Sequence, residues 1–296
     1  MLTFRDMVPE DYALFQAYVE GVPYSNSNYS FANMYVWREH YHIQIAPMPE
    51  ALYVRGRVAE TDPYAHYQPM TRHDASLPRV LEQVEADCKE HGSPFLIYGA
   101  DEHFVRWMRQ EDLEGVYQIE PDRDNFEYVY ETEKLARLSG KKLHGKRNHV
   151  NAFVKKYAYQ VEELDGRHTA DCMQIFDEWA QDREAADTAP ERAAIQQALQ
   201  YREQLHLCGL IVYVEGRPVA FTVGEQYHPE IALVHFEKAV PDIDGGFPFV
   251  NQQFAQWWEG KVPCINRAED MGVEGMRKAK LSYRPCHMIH KYTIRK

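Results

Sequence analysis

The sequence predicts an α+β fold built as a tandem duplication of one mixed sheet flanked by helices, and three observations predict it. Both halves read in the same order: strand, two helices, a pair of strands, helix, strand, helix, strand. A length of 296 residues favours two domains, at roughly 100–200 residues per domain. Apolar residues at 45% and aromatic residues at 13% supply two cores, while 26% charged residues match an ordinary globular protein. The halves divide into segments 1–126 and 127–296. No residue-level repeat links them, so the duplication rests on the order of elements.

In the first half, LTFRDMV has strand character, Pro9-Glu10-Asp11 opens a helix carried by Tyr12, Phe15 and Val19, and a second helix runs from Ser30 to Tyr41. HIQIAPM and ALYVRGRV alternate apolar and polar residues around Pro47 and Pro49, as a strand pair does. LPRVLEQVEADCKEHG reads as a helix, FLIYGA as an apolar strand, HFVRWMRQ as a helix and VYQIE as an extended close. The second half repeats the series with YQVEEL, helices at ADCMQIFDEWAQ and PERAAIQQALQYREQ, and the hairpin LIVYVEGRPVAFTVGEQ turning at Glu215-Gly216-Arg217-Pro218. The strand IALVHFEKAV, the helix FVNQQFAQWWEG, the strand VPCIN, the helix EGMRKAKLSY and a strand near MIHKYTI complete it.

Acidic residues outnumber basic ones 45 to 33, and the net charge of −12 repels DNA and anionic membranes from the chain as a whole. An anionic ligand therefore needs a local basic site. One is visible: Lys134, Arg137, Lys141, Lys142, Lys146, Arg147, Lys155 and Lys156 follow one another with no acidic residue among them. No apolar run approaches the roughly 18–20 residues of a spanning helix, and MLTFRDMVPEDY lacks a signal peptide's basic start and apolar stretch, so a cytoplasmic location is expected. The 5 cysteines are widely spaced, without a C-x-x-C pair, and fit neither a disulfide framework nor a zinc ribbon.

His-Glu-x-x-His, G-x-S-x-G and G-x-G-x-x-G do not occur, and His287 with His290 lacks further ligand spacing, so no metal is expected. Gly140 to Lys146 mimics a phosphate-binding loop, yet Arg147 stands where Ser or Thr would hold magnesium and the stretch upstream reads as helix. These features argue against a nucleotide triphosphatase.

Helical periodicity sets Leu143, Val150, Val154 and Tyr157 on one apolar stripe, with Phe153 at its edge, and places Lys146 and Arg147 inside it. Burying an unpaired charge is costly, so these two meet carboxylates, reach to water or face a cleft that holds an anion. On the last helix Lys280 falls between Met276, Ala279 and Tyr283, where it either pairs with Glu269 or Asp270 or donates to a substrate phosphate or carboxylate. Along IALVHFEKAV, alternation puts Leu233, His235, Glu237 and Ala239 on one face. His235 and Glu237 are then neighbours suited to acid and base work, or simply the polar half of a sheet face. Gly245-Gly246 follow at a helix start, where open backbone N–H groups suit an anion.

KLARLSGKKLHGKRNHVNAF, FEKA, the helix with Asn251-Gln252 and NRAEDMGVEGMRKAKLSYRP together resemble the bacterial family similar to the C-terminal domain of phosphatidylglycerol lysyltransferase. The resemblance covers most of residues 128–296 and, more loosely, the first half through SNYSFANMYVWREHY. It implies a tandem GNAT-like fold related to the Fem-type aminoacyltransferases, which move an amino acid from a charged tRNA to an amine or hydroxyl acceptor. It also places a donor-binding and structural signature on Lys142, Lys146, Arg147, Asn148, Asn251, Arg267, Asp270, Arg277, Lys280 and Tyr283. Ala268 departs from the acidic residue common in the family, and Phe247 from a tyrosine.

The expected function is transfer of an acyl or aminoacyl group from a phosphate-bearing donor, acyl-CoA or aminoacyl-tRNA, to an amine or hydroxyl. Such a reaction needs donors for the carbonyl oxygen, a base for the acceptor and a cradle for phosphates. Glu237 and His235 are the candidate catalytic residues, and Lys142, Lys146, Arg147, Asn148, Gly245, Gly246, Asn251, Arg277 and Lys280 the candidate donor-binding residues. Arg267, Asp270 and Tyr283 are expected to be structural or to position substrate. No tightly bound cofactor is expected, and the partner is an anionic small-molecule donor or a tRNA acceptor end. The competing expectation is a non-catalytic module that keeps an anion pocket on a degenerate fold.

Overall fold

The computed structural model describes residues 2–22 and 24–296. Its first elements are β1 (Arg5–Asp6), α1 (Tyr12–Val19), α2 (Phe31–Trp37), β2 (Gln44–Pro47), β3 (Leu52–Gly56), β4 (Ala65–Tyr67), α3 (Leu77–His91), β5 (Leu96–Ala100), α4 (Glu102–Gln110) and β6 (Gln118–Pro121). There follow β7 (Glu127–Glu131), α5 (Thr132–Arg137), α6 (His144–Lys156), β8 (Tyr159–Glu163), α7 (Thr169–Ala180), α8 (Ala185–Gln200), β9 (Cys208–Val214) and β10 (Arg217–His228). The chain closes with β11 (Ile231–Ala239), α9 (Gly246–Trp258), β12 (Cys264–Glu269), α10 (Glu274–Ser282), β13 (His287–Ile289) and β14 (Tyr292–Arg295).

These strands form two seven-stranded sheets, ordered β1-β2-β3-β4-β5-β14-β6 and, from the equivalent edge, β8-β9-β10-β11-β12-β7-β13. The two orders are one pattern repeated. In each, the fourth and fifth strands pair in parallel, His66↔Ile97 in the first sheet and Ile231↔Cys264 in the second. The duplicated mixed sheet is therefore present, with one exchange: the sixth place is taken by the last strand of the chain in one sheet and by β7 in the other.

That exchange departs from the expectation that 127–296 forms one domain. The strand expected near MIHKYTI divides at His290-Lys291, β13 lying beside β7 while β14 pairs with β5 and β6. The compact units are accordingly the chain up to Phe126 together with Ile289–Lys296, and Glu127–Met288. Ile294 is the physical reason. It is fully buried in a core built by Leu77, Val80 and Val84 of α3 and Phe104 and Met108 of α4 against Ile97 of β5.

Smaller differences follow from local chemistry. Only Arg5–Asp6 of LTFRDMV pairs, α2 stops at Trp37, β4 was not foreseen, and α8 starts at Ala185 with Pro190 inside it. The β9–β10 turn is tighter than expected, a two-residue loop with Glu215 and Gly216 at φ 51° and 83°, the pairing that twisted hairpins favour. On α6 the buried residues are Val150 and Phe153, while Val154 is 45% exposed, so the stripe runs through Phe153 instead.

Candidate functional site

The site lies where β11 and β12 part. They pair in parallel through Ile231↔Cys264, Ala232↔Ile265 and Leu233↔Asn266. Beyond that point β11 carries a bulge: Val223 faces Phe236 and Gly224 faces Val234, which leaves His235 without a cross-strand partner. β12 in turn slips against β7 between Asn266 and Glu269, with Ala268 at φ 55°. Bulges bend strands and re-aim side chains. Here they open the carboxyl ends of a parallel pair, the place where open sheets bind ligands.

Glu237 occupies the opening. Arg267 Nη2 donates to its Oε1 at 2.9 Å and Asn251 Nδ2, from α9, to its Oε2 at 3.1 Å. Arg267 and Glu237 side chains are 14% and 8% exposed, and Asn251 is 2% exposed. Thr222 of β10 stands opposite Glu237 in the sheet register. Around this ion pair, Thr222 Oγ1, Asn251 Oδ1 and Arg267 Nη1 are buried without a hydrogen-bond partner among the described residues. A buried polar atom left unsatisfied costs about 1–3 kcal/mol, so three in one cluster mark a place suited to a polar ligand.

Tyr283 joins α6 and β12 to this cluster. Its ring carries Lys146 Nζ at 4.4 Å on one contact and the Arg267 guanidinium at 4.8 Å on another. Burial, and then the charge of Arg267, hold Lys146 below the ordinary lysine range. Burial pushes the Tyr283 hydroxyl up to about 12, so it keeps its proton. Burial would lower Arg267, but Glu237 outweighs it and the guanidinium is held more firmly charged. Tyr130, whose ring lies 5.9 Å from Arg267, closes the group.

Glu237, Asn251, Arg267, Tyr283 and Lys146 are thus brought together, whereas other residues expected at the site are engaged elsewhere. His235 Nε2 lies 2.9 Å from Glu225 Oε1 in a buried pair, and the bulge interrupts the alternation that placed it beside Glu237. Arg147 donates to Leu138 O at 2.7 Å and touches His144, as does Asn148, so both stabilise the start of α6. Lys142 is exposed on the turn before α6.

Gly245 has φ 81°, and a Cβ there would lie 2.8 Å from His149 O, so the glycine permits a close approach of α6 to the start of α9. The Gly246 N–H is taken by Ile243 O at 3.3 Å. Arg277 forks onto Asp270 at 2.9 and 2.8 Å, with Tyr128 and the Gly272 N–H on the same carboxylate. Lys280 meets backbone carbonyls of Arg267 and Glu269, where the sequence left open a pair with Glu269 or Asp270 or a donation to substrate. Thr222, Tyr128 and Tyr130 were missed. The alternation in EYVYE of β7 was the available signal for the two tyrosines.

Residues 20–295 match the family described as phosphatidylglycerol lysyltransferase, C-terminal. The chain belongs to this family. A protein of unknown function from Bacteroides thetaiotaomicron VPI-5482 is similar over 100% of this chain and 99% of its own, at 32% identity and TM-score 0.90. L-PGS from Bacillus licheniformis shares the fold at 15% identity and TM-score 0.67, over 97% of this chain and 92% of that one. A tandem GNAT protein from the clavulanic acid biosynthesis pathway does so at 10% identity and TM-score 0.54, over 99% and 98%. The architecture is therefore a tandem GNAT-like fold. An uncharacterized protein of Mycoplasmoides gallisepticum is 25% identical over 200 residues, which span 64% of this chain and 61% of that relative's length.

Among the described residues no helix is long and apolar enough to cross a membrane.

Proposed function

We propose that the chain is an aminoacyltransferase that takes an aminoacyl group from aminoacyl-tRNA and delivers it to an amine or hydroxyl acceptor. The observation that carries this reading is Glu237 held between Arg267 and Asn251, with Asn251 Oδ1 and Arg267 Nη1 unsatisfied beside it. An acetyl group carries no ammonium to meet that carboxylate. An aminoacyl group offers an ammonium to Glu237 and Asn251 Oδ1, and a carbonyl oxygen to Arg267. Membership in a family named for lysyl transfer supports the same choice.

The basic stretch supports a phosphate-bearing donor. α6 has no acidic residue in its first turn and no side-chain cap, and Lys141, Lys142 and His144 are exposed at its start. A helix N-terminus dressed with cations favours phosphate. In the reaction the lone pair of the acceptor's nitrogen or oxygen attacks the ester carbonyl, the bond from that carbon to the ribose oxygen breaks, and the proton lost by the acceptor leaves on the ribose hydroxyl. Lys146, which releases its proton more readily than an exposed lysine, is the group suited to carry it, and Arg267 is suited to stabilise the developing oxyanion.

Filter binding of lysyl-tRNA, uncharged tRNA and acetyl-CoA tests this. Charged tRNA should bind more tightly than uncharged, Glu237→Gln should erase that preference, and affinity should fall by orders of magnitude between ~50 and ~200 mM salt. Binding of acetyl-CoA alone would redirect the reading to an acyl-CoA enzyme. Retention of charged tRNA with no aminoacylated product by mass spectrometry, across amine and hydroxyl acceptors, would favour a binding module.

A further inference from the structure

We propose that Lys280 is a positioning residue: from behind the site, its ammonium holds a strained bulge of β12 in the shape that aims Arg267 at Glu237. The proposal rests on the preceding reading only for what the site binds. Lys280 Nζ donates to Arg267 O at 2.6 Å and also to Glu269 O, the two carbonyls that flank Ala268. Ala268, at φ 55°, is a non-glycine residue in the left-handed region, a conformation that persists only where its surroundings enforce it. Its N–H is held by Asn266 Oδ1 at 2.8 Å, and Asn266 is fixed in turn by Glu127 at 2.5 Å and Tyr227 at 3.2 Å. The register of β12 against β7 is lost over this segment. Backbone pairing therefore does not set the direction of Arg267 there, and the lysine clamp does. Tyr130 Oη donates to Lys280 O at 2.8 Å and ties the α10 backbone to β7.

The groups facing Lys280 are Arg267, Glu269 and Asp270 of β12 and its turn, Glu127 of β7, and the Tyr128 ring at 5.8 Å. Asp270 is occupied by Arg277 and Tyr128. Burial, opposed by Glu269, pushes the ammonium down to about 8. The clamp is then charged and strong at neutral pH and weakens as pH rises through that value, since charge-assisted hydrogen bonds are the stronger kind. Arg267 would lose its aim in the same window.

Hydrogen exchange read by mass spectrometry over segment 264–270, together with lysyl-tRNA binding, tests this in wild type, Lys280→Met and Lys280→Met/Ala268→Gly. Lys280→Met should speed exchange at the Ala268 amide by at least tenfold and weaken binding by a similar factor. Adding Ala268→Gly should restore part of the binding, because glycine holds that conformation without strain. Should Lys280→Met fail to fold, wild-type exchange from pH 7 to 9, corrected for its intrinsic rise, must still show excess opening of this segment above about pH 8. Unchanged exchange in folded Lys280→Met, or no excess opening in wild type, overturns the proposal. Lost binding without faster exchange, and with no rescue by glycine, would make Lys280 a direct ligand contact. If wild type binds no lysyl-tRNA, the donor reading fails while the exchange result still decides the role of Lys280.

Discussion

The two copies of the sheet place the same crevice at the ends of the same parallel strand pair, and the first is stitched shut. There, beyond Tyr67↔Tyr98, the Gln68 N–H donates to Tyr98 O at 3.2 Å, Gln68 Oε1 accepts from the Asp101 N–H at 2.8 Å, and Gln68 Nε2 reaches Asp101 Oδ2 at 3.3 Å. Tyr29 Oη adds to the same carboxylate at 3.2 Å, and Asn26 holds Gly99 O at 3.2 Å. Gly99 is required, since a Cβ there would lie 2.0 Å from Asn28 Nδ2. In the second copy the corresponding strands splay, and Thr222, Asn251 and Arg267 keep unsatisfied atoms. One backbone plan thus serves structure when its crevice is filled by its own chain, and is free for chemistry when it is not.

The largest expected effect breaks the open crevice. Arg267→Met leaves Glu237 buried without its cation and should cost about 3–5 kcal/mol in urea unfolding. Adding Glu237→Leu should recover most of that stability and none of the lysyl-tRNA binding. If the double variant binds normally, the polar cluster is structural, like its counterpart. Loosening the closed crevice should have the opposite profile: Asp101→Ala removes the acceptor of Tyr29 and Gln68 and the cap of the Phe104 N–H. It should cost about 2 kcal/mol by the same measurement and leave lysyl-tRNA affinity unchanged.

Gly245→Ala comes next, a left-handed position against the backbone of α6, with an expected cost of about 1–3 kcal/mol in thermal unfolding. The smallest effect at neutral pH is that of acid. Burial would raise the Asp270 carboxyl, but hydrogen bonds from Arg277, Tyr128 and the Gly272 N–H outweigh it and hold it below the usual range. A carboxyl depressed in the folded state stabilises above its unfolded value near 4 and loses that contribution as pH falls further. Urea midpoints from pH 5 downwards should therefore fall less steeply for Asp270→Asn than for wild type.

Much of the architecture was legible because it depends on periodicity. The hairpin at Glu215-Gly216 and the helix pattern of ADCMQIFDEWAQ are local signals, and so was the repeat of element order. What was not legible depends on interruptions. A bulge at His235 takes it off the face of Glu237, and the β12 bulge presents the Arg267 and Glu269 carbonyls to Lys280. Neither has a composition signature, Ala268 least of all, since alanine rarely adopts a positive φ. Glu237, Lys146 and Arg267 were named from the sequence, yet Thr222 and Tyr130 come from strands far apart in the chain and join them only through sheet register.

The strand exchange has a consequence for how the chain is made. The first sheet receives β14 between β5 and β6, so most of its residues leave the ribosome well before the strand that completes it. Until then β5 and β6 present unpaired edges, the kind that recruit foreign strands, and the core position of Ile294 is empty of its side chain. The second sheet holds β7, made before all its other strands, and its own late strand, β13, lies at the sheet's edge. Completion of the first sheet therefore requires insertion of a late strand between two existing edges, and that of the second only addition at one edge.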